Sequence, residues 1–459
     1  MSAVIDPASP SRTSLPLAMG DPARTIVFGG RDGVVTLARF QRQVRALAAL
    51  LPGDGPAINL CEDRERFLLA LCAAAVRGVA TLLPPSRAPE AIAAVQRRHP
   101  RAWCIGDDAA PAGATQYWQL PEPLPEAEGA GLRLDPGALA VVGYTSGSTG
   151  DPVAHPKRWR EFHASTAQNL AALRHLCAPG GRAHVVATVP PQHMYGMELS
   201  VLLPLLGDIG VHAGRPFFPH DIVQALHDTQ APRLLVTAPV HLRALLAACD
   251  SDPALVPPAL AGIVSATAPL AAELAAAAEA RFGCEVRELF GSTETCVVAS
   301  RRCATEPAWT PYAGVRMQPQ PDGCLVHAPH LPAPVALADL VEVHADGGFS
   351  LCGRNADLLE IAGKRASLGD LTRKLQAIDG VVDAAVFQLA DTDPGGVSRI
   401  AALVVAPGLD EARILDAMRS QVDPVFLPRP LRCVPALPRN ATGKLPRAGL
   451  LALLGSLST

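Results

Sequence analysis

Short apolar runs alternate with alanine- and leucine-rich segments from Thr25 onward, and this alternation constrains the fold more than any other feature of the chain. Residues 40–51 and 64–77 have the spacing of helices, whereas 57–60 and 80–83 have the composition of short buried strands. Further strands are predicted at 184–189, 233–237 and 262–266, and a strong helix at 271–282. This pattern predicts α/β layers with parallel sheets.

Composition argues against several classes of protein. The chain has 459 residues, of which 49% are hydrophobic and 18% charged, so we expect a globular protein of more than one domain. A net charge of −3 argues against nucleic acid as a partner. No apolar run reaches the roughly 20 residues of a membrane span, and the N-terminus has no signal-peptide organisation. Eleven cysteines without regular spacing indicate reduced thiols, so we expect a cytoplasmic protein.

The chain also divides along its length. Residues 1–24 are predicted to be a loose leader, and 111–136, rich in Pro, Gly and Glu, a surface connection. The pattern changes near Gly353, after which 381–388 and 400–405 resemble paired strands. We therefore expect a small α+β domain at the C-terminal end.

A glycine- and hydroxyl-rich loop carries the first sign of function. Residues 144–150, Tyr-Thr-Ser-Gly-Ser-Thr-Gly, follow the apolar run 139–142. Backbone N–H groups and short hydroxyls in such a loop can surround a polyphosphate, because glycine allows close approach. The loop matches neither the Walker A pattern nor the GxGxxG fingerprint. On composition alone, a plain surface turn is equally compatible with it.

Three later sequence blocks favour the phosphate-binding interpretation over a plain surface turn. Phe-Gly-Ser-Thr-Glu-Thr occupies 290–295, and Cys-Gly-Arg at 352–354 precedes Gly-Lys-Arg at 363–365. Pro-Arg-Asn-Ala-Thr-Gly-Lys occupies 438–444. In this order the blocks resemble the core motifs of the adenylate-forming superfamily, which includes acyl-CoA synthetases, aryl-acid ligases, peptide-synthetase adenylation domains and luciferases. The resemblance extends from about residue 25 to 450.

The resemblance implies an α/β fold with a large multi-layer N-terminal domain, residues 1–355, and a small mobile α+β C-terminal lid, residues 356–459, with a hinge near 355–357. It implies ATP-dependent activation of a small carboxylic acid to acyl-AMP with release of pyrophosphate. The activated acid then passes to a phosphopantetheine thiol. Two anions must meet in the first step, so neutralisation of charge dominates the barrier.

The resemblance also assigns residue roles. Glu294 is implied to bind Mg²⁺, Asp339 and Arg354 the ribose, and Lys444 to donate to the α-phosphate as the catalytic lysine. His193 is implied to be catalytic and to gate the acid site, and Gly363 to lie at the pantetheine tunnel. Other implied ATP- or AMP-binding residues are Thr145, Ser146, Gly147, Ser148, Thr149, Gly150, Ala266, Thr267, Ala268, Phe290, Gly291, Ser292 and Thr293. The implied acid pocket contains His193, Tyr195, Gly196, Ala266 and Thr267.

The chain departs from the common family pattern at three places. The lysine expected three residues beyond Gly150 is replaced by Val153, so its phosphate role passes to Lys157 or His155. Ala356 replaces the hinge Asp or Lys, with Asp357 beside it. Leu337-Ala338 precede Asp339, where the family usually has Thr-Gly. These departures indicate a divergent subgroup.

Residues 77–86 and 361–368 resemble ligases of aryl-polyene and xanthomonadin-type pigment pathways, which charge hydroxybenzoate-like acids onto an acyl carrier protein. The last 36 residues, 424–459, contain five basic and no acidic side chains. We therefore expect an aryl acid and an acidic carrier protein as partners. Two alternatives stay open: CoA as the acceptor, and a non-catalytic nucleotide-binding homologue.

Overall fold

The computed structural model describes residues 14–146, 152–321, 323–354, 358–361, 364–392, 398–419, 422, 424–440 and 445–457. The chain forms two compact units. The first extends to Thr305 and includes Pro329–Pro332, and the second contains Glu306–Ala328 and the chain from Ala333 onward. The predicted division at residue 355 therefore differs from the division into compact units, and the predicted hinge, 355–357, lies outside the described residues.

The first unit contains two sheets and the helices that cover them. Its strands are β1 (Leu15–Pro16), β2 (Thr25–Gly30), β3 (Gly33–Thr36), β4 (Ala57–Asn59), β5 (Thr81–Leu83), β6 (Trp103–Gly106), β7 (Tyr117–Gln119), β8 (Arg133–Leu134), β9 (Leu139–Ser146), β10 (Pro152–Arg158), β11 (Ala183–Ala187), β12 (Ile209–His212), β13 (Arg233–Thr237), β14 (Gly262–Ser265), β15 (Glu285–Ser292) and β16 (Cys296–Arg302). Its helices are α1 (Leu37–Leu50), α2 (Arg64–Val76), α3 (Pro89–Arg98), α4 (Trp159–Leu173), α5 (Met194–Met197), α6 (Leu203–Leu206), α7 (Pro219–His227), α8 (Pro239–Ser251) and α9 (Ala272–Phe282). A π-helix, Glu198–Leu202, joins α5 to α6.

The larger sheet has the strand order β16-β15-β14-β13-β11-β12-β2-β3 within this unit. The inner neighbours pair in parallel, and only the two outer pairs, β15–β16 and β2–β3, are antiparallel. Parallel strands are buried on both faces, which explains their continuous apolar runs. The segments after β11, β14 and β15 all leave the same edge of this sheet. Ligands bind at that edge in open α/β sheets.

The smaller sheet has the order β10-β9-β5-β4-β6-β7. Its pairs are parallel except for the antiparallel hairpin β9–β10, whose strand β10 lies at the edge. This hairpin carries the first sequence block to the end of the sheet. The predicted α/β class is confirmed.

Local signals explain where helices begin. The Thr36 hydroxyl accepts from the Arg39 N–H and starts α1 three residues before the predicted position, and Asp63 caps α2 in the same way. Arg64, the first residue of α2, is fully buried. Its guanidinium donates to the Ser200 hydroxyl and to the carbonyls of Ala187, Val189, His212 and Gly214. These bonds tie α2 to the ends of β11 and β12.

The leader prediction is wrong for residues 14–24. Leu15 and Pro16 pair with Leu134 and Arg133, and Leu17 is buried. The Arg24 guanidinium donates to the carbonyls of Pro204 and Ile209. A buried guanidinium is stable only when its donors are bonded, so this segment is part of the core. The connection 111–136 likewise buries Leu120, Leu124 and Leu134.

The second unit is built from small sheets. Its strands are β17 (Thr310–Pro311), β18 (Arg316–Gln320), β19 (Gly323–His327), β20 (Val335–Leu337), β21 (Asp339–Val343), β22 (Phe349–Arg354), β23 (Leu358–Ile361), β24 (Lys364–Ser367), β25 (Asp383–Thr392), β26 (Ser398–Val405) and β27 (Leu431–Cys433). Its helices are α10 (Leu368–Gln376), α11 (Glu411–Arg419) and α12 (Arg447–Ser456).

The predicted pairing of 381–388 with 400–405 is confirmed, because β25 and β26 form an antiparallel pair. Along β26 the side chains alternate between two apolar clusters. Ile400, Ala402 and Val404 pack with α10 and α11, whereas Ala401 and Leu403 pack with Leu450 and Leu454 of α12. Among the described residues, no helix combines the length and apolar character that crossing a membrane requires.

Candidate active site

The glycine-rich loop connects β9 to β10. Thr145 pairs with Val153 in this hairpin, which places the backbone of Thr145 and Ser146 at the end of β9. Gly147, Ser148, Thr149 and Gly150 lie outside the described residues. The hairpin itself therefore defines where the loop starts and ends.

Alternation along β10 directs three side chains to one face of the strand. Val153, His155 and Lys157 are spaced two positions apart, so they share this face. Their exposure falls along the strand, from 48% for Val153 to 5% for Lys157. The loop end of β10 is therefore open, and the far end is buried.

His155 lies between two predicted site residues. Its Nε2 is 3.0 Å from Oγ1 of Thr145 and 3.4 Å from Oε1 of Glu294. Burial lowers the pKa of His155, and the lysine charge at position 157 lowers it further, although Glu294 raises it. The imidazole thus connects the hairpin to the turn that carries Glu294.

Lys157 points at the same turn but not at its carboxylate. Its Nζ donates to the backbone carbonyl of Glu294. Of the two residues proposed to replace the missing lysine, Lys157 is buried and bonds to the backbone, whereas His155 reaches the carboxylate. A phosphate role for either residue stays a prediction.

The turn from Ser292 to Thr295 joins β15 to β16. The Ser292 N–H donates to the Thr295 hydroxyl, and the Thr295 N–H to the Ser292 hydroxyl, each at 3.1 Å. A Cβ on Gly291 would lie 2.3 Å from the Cys296 carbonyl, so only glycine fits there. A Cβ on Gly143 would lie 3.1 Å from Thr293, which packs the turn against β9.

The Glu294 carboxyl has the properties of a magnesium ligand. Partial burial raises its pKa, but a hydrogen bond from Ser292 and the charges of His155 and Lys157 outweigh this, and the pKa is lowered. The described residues contain no group of three or more His, Cys, Asp or Glu that could hold a metal alone. One carboxylate with a lowered pKa beside the β9–β10 hairpin still fits Mg²⁺, which is commonly held by one or two carboxylates and substrate phosphates. A bound Mg²⁺ would neutralise phosphate charge.

The residues predicted to contact adenine lie directly after β14 and near the end of β15. Ser265 pairs with Glu288 in the parallel ladder, so the segment of Ala266, Thr267 and Ala268 leaves the sheet beside the end of β15, where Phe290 is half-buried. Thr267 has a φ of 78°, which a β-branched residue rarely adopts. Such strain concentrates at ligand sites.

His193, Tyr195 and Gly196 belong to the start of α5. His193 is the half-buried residue that precedes the helix. The Tyr195 hydroxyl donates to the Val264 carbonyl at 2.8 Å and is buried, so Tyr195 joins α5 to β14. A Cβ on Gly196 would lie 2.0 Å from the Pro190 carbonyl oxygen. The pocket role of these residues stays a prediction.

The second unit brings two predicted ribose residues together. Asp339 and Arg354 are direct partners in the β21–β22 pair. Their backbones therefore lie side by side, and the ribose role of both residues stays a prediction. Lys444 and Gly363 lie outside the described residues.

A group of buried polar side chains beneath the Glu294 turn was not predicted, namely Asn169, Glu198 and His330, together with the half-buried Gln168 that contacts His330. The Glu198 carboxylate accepts from the Val297 N–H at 2.9 Å and from Asn169 Nδ2 at 3.0 Å. Glu198 is the only charged residue between Met194 and Leu206. An isolated charge within an apolar helical run was the signal that could have revealed it.

Known proteins share this architecture. A family model described as "AMP-binding enzyme" matches residues 18–326, and one described as "AMP-binding enzyme C-terminal domain" matches residues 374–444. The chain is 28% identical over 353 residues to sulfoacetate–CoA ligase of Cupriavidus necator, covering 69% of this chain and 67% of that protein. It is also 28% identical over 322 residues to 4-coumarate–CoA ligase of Halorhodospira halophila, covering 66% and 73%.

Solved structures give the same result for the fold. The o-succinylbenzoate CoA synthetase of Bacillus subtilis, in complex with its acyl-adenylate intermediate, has a TM-score of 0.77 at 19% identity and covers 95% of this chain and 98% of that chain. This likeness confirms the adenylate-forming fold. The first family model spans more than half of the sequence. The chain belongs to the family of AMP-binding enzymes.

Proposed function

We propose that this protein activates a carboxylic acid with ATP. One carboxylate oxygen attacks the α-phosphorus, the bond from the α-phosphorus to the bridging oxygen breaks, and pyrophosphate leaves with that oxygen. The products of this step are acyl-AMP and pyrophosphate. The observation that carries the proposal is the arrangement of Thr145, His155 and Glu294, which joins the hairpin around the glycine-rich loop to a half-buried carboxylate.

Each group of predicted residues binds a different part of the ATP molecule. The loop from Thr145 to Gly150 holds the β- and γ-phosphates, and Glu294 holds Mg²⁺ with them. The segment 266–268 and Phe290 hold adenine, and Asp339 accepts hydrogen bonds from the ribose hydroxyls beside Arg354. Lys444 supplies positive charge to the α-phosphate and to the developing acyl-phosphate oxygen.

For the acid, we propose an aryl acid such as a hydroxybenzoate, bound near His193 and the segment 266–267. One relative named above acts on 4-coumarate, an aryl acid, which supports the proposal. Another acts on sulfoacetate, so the family membership alone does not select the acid. The buried Tyr195 hydroxyl is bonded to Val264. Because this bond uses the Tyr195 proton, Tyr195 could act toward a substrate hydroxyl only as an acceptor.

For the acceptor, we propose the phosphopantetheine thiol of an acyl carrier protein. Acidic carrier proteins require exposed positive charge, but part of the basic C-terminal end is already neutralised. Arg432 forms an ion pair with Glu411 at 3.0 Å, and Arg439 forms one with Asp383 at 2.8 Å. Arg429 is exposed, so reversing its charge tests carrier binding more directly than reversing the charge of Arg432 or Arg439. CoA is the second candidate, because both relatives named above are CoA ligases.

The test of activation is pyrophosphate release with hydroxybenzoates, cinnamates and fatty acids, using wild type and Lys444→Ala. We expect acid-dependent release that falls by about 100-fold or more in the variant, as for loss of one transition-state donor. Equal inertness of both proteins with every acid would favour the non-catalytic homologue.

The test of the acceptor compares a phosphopantetheinylated carrier protein with CoA. Arg429→Glu should slow transfer to the carrier and leave adenylation unchanged. Arg413→Glu, on the exposed face of α11, is the matched charge reversal. Transfer to CoA alone would replace the carrier proposal by the second candidate.

A further inference from the structure

Three buried side chains from separate parts of the chain bond to backbone groups of the Glu294 turn and of the start of β16, the strand that follows it. Lys157 of β10 donates from Nζ to the Glu294 carbonyl. His330 Nε2 donates to the Thr295 carbonyl at 2.7 Å, and Glu198 of the π-helix accepts from the Val297 N–H at 2.9 Å. We call Lys157, Glu198 and His330 the turn clamp.

Two consecutive residues of α4 orient the turn clamp in its place. Asn169 Nδ2 donates to the second oxygen of Glu198 at 3.0 Å. The Gln168 side-chain amide lies 2.9 Å from Nδ1 of His330. Glu198 and His330 each have one contact with the turn or with β16 and a second contact with α4. These paired contacts fix the rotamers of both side chains.

Burial of the polar and charged side chains of the turn clamp costs free energy. Glu198 is 1% exposed and Lys157 is 5% exposed. Burial raises the pKa of Glu198 to about 7, although the bonds from Val297 and Asn169 and the charge of Lys157 lower it. Charged groups are rarely buried without a compensating role, and an apolar core would hold an ordinary hairpin at lower cost.

The backbone that the turn clamp holds is unusual. Cys296, between the Thr295 carbonyl and the Val297 N–H, has a φ of 60°. The helical segment that begins at Glu198 also departs from regular α-helical geometry, because Glu198–Leu202 is a π-helix. Both irregularities are frequent near functional sites.

We propose that Lys157, Glu198 and His330 are positioning residues that fix the direction of the Glu294 carboxylate and thereby set the affinity of the site for a magnesium–nucleotide complex. This inference rests on the proposed function. The bonds from the turn clamp to the turn and to β16 described above go to backbone groups, and the Glu294 carboxylate is half-exposed, so the turn clamp acts by placing the segment that carries Glu294. Residues that orient a metal ligand typically change metal affinity by about 10- to 100-fold when they are replaced.

The test is Glu198→Gln, which keeps the shape of the side chain but loses one acceptor. Its control is Glu279→Gln. Glu279 also accepts a backbone N–H of the same hairpin, that of Val286 at 2.9 Å, together with Arg302 at 2.9 Å. Val286 lies six residues from Ser292, about 20 Å along the strand, so the control probes the same fold away from the turn.

Calorimetric binding of the non-hydrolysable analogue α,β-methylene ATP, with and without Mg²⁺, gives a readout independent of turnover. Glu198→Gln should weaken binding of the magnesium complex by about tenfold and leave binding without Mg²⁺ within twofold. In the steady state, the variant should raise KM for MgATP and leave KM for the acid unchanged. Glu279→Gln should match wild type in both assays.

Equal binding of the magnesium complex by Glu198→Gln and wild type would overturn the inference, as would a loss of the same size with and without Mg²⁺. If Glu198→Gln does not fold, His330→Ala and His330→Gln replace it, and only the glutamine, which can still donate to the Thr295 carbonyl, should restore the affinity. Wild type that binds no magnesium–nucleotide complex would instead contradict the proposed function.

Discussion

The Nε2 atom of His155 lies 3.4 Å from Oε1 of Glu294. This contact joins β10 of the smaller sheet to the turn after β15 of the larger sheet, and Thr145 extends it at 3.0 Å. His155 is thus one of the contacts between the two sheets, together with the bond from Lys157 to the Glu294 carbonyl. The family lysine is absent from the loop end of β10, and His155 is the half-buried residue on the same face.

His155→Ala should raise KM for MgATP by about fivefold to tenfold, which corresponds to loss of one hydrogen bond worth about 1 kcal/mol. His155→Gln should recover most of this loss, because its amide can bridge Thr145 and Glu294. Initial rates at varied ATP and saturating acid measure the effect. Equal KM values for both variants would show that the bridge is not used.

Val153→Lys should lower KM for MgATP. Val153 shares the face of His155 and lies nearer the loop, and its exposure of 48% leaves room for a longer side chain. An exposed charge near phosphates contributes up to about 1 kcal/mol, or roughly fivefold. Val153→Gln controls for length, and the gain should shrink in high salt. A gain of equal size for glutamine would contradict an electrostatic origin.

Glu65→Gln should remove a pH dependence of stability. Burial raises the pKa of Glu65 to about 7, with further contributions from Asp32 and Asp63, although Arg66 lowers it. The native carboxyl therefore keeps its proton between pH 4.5, its ordinary value, and about 7, whereas the unfolded chain loses it. The free energy of unfolding of wild type should fall over this window by about 3 kcal/mol at most, relative to the variant.

Urea unfolding of both proteins at pH 5 and pH 8 measures the difference. Glu90→Gln, at an exposed position of α3, is the control and should follow wild type at both values. A Glu65→Gln curve parallel to wild type across the window would mean that Glu65 ionises normally in the native state.

Sequence patterns predicted the elements whose signals are local. The strand at 233–237 coincides with β13, and the helix at 271–282 differs from α9 by one residue, because apolar runs and Gly283 mark their ends. The block 290–295 was identified through its resemblance to a family motif, and the structure adds that Gly291 there has no space for a Cβ.

Features that depend on distant contacts escaped prediction. The strand β10 contains Pro152 and Pro156, which argue against a strand unless it lies at a sheet edge, as it does here. Without β10, the shared face of Val153, His155 and Lys157 could not be recognised. The role of Glu198 depends on α4 and on the Val297 N–H, which are separated from it by 29 and 99 positions.

The most direct test of acid activation is to identify the nucleotide product in the absence of any thiol acceptor. Purified protein, ATP, Mg²⁺ and each candidate acid are incubated together, and the products are analysed by mass spectrometry. We expect acyl-AMP and pyrophosphate that appear only when a suitable acid is present, in amounts comparable to the enzyme. Formation of ADP and phosphate instead, with no acyl-AMP for any acid, would contradict the proposed reaction.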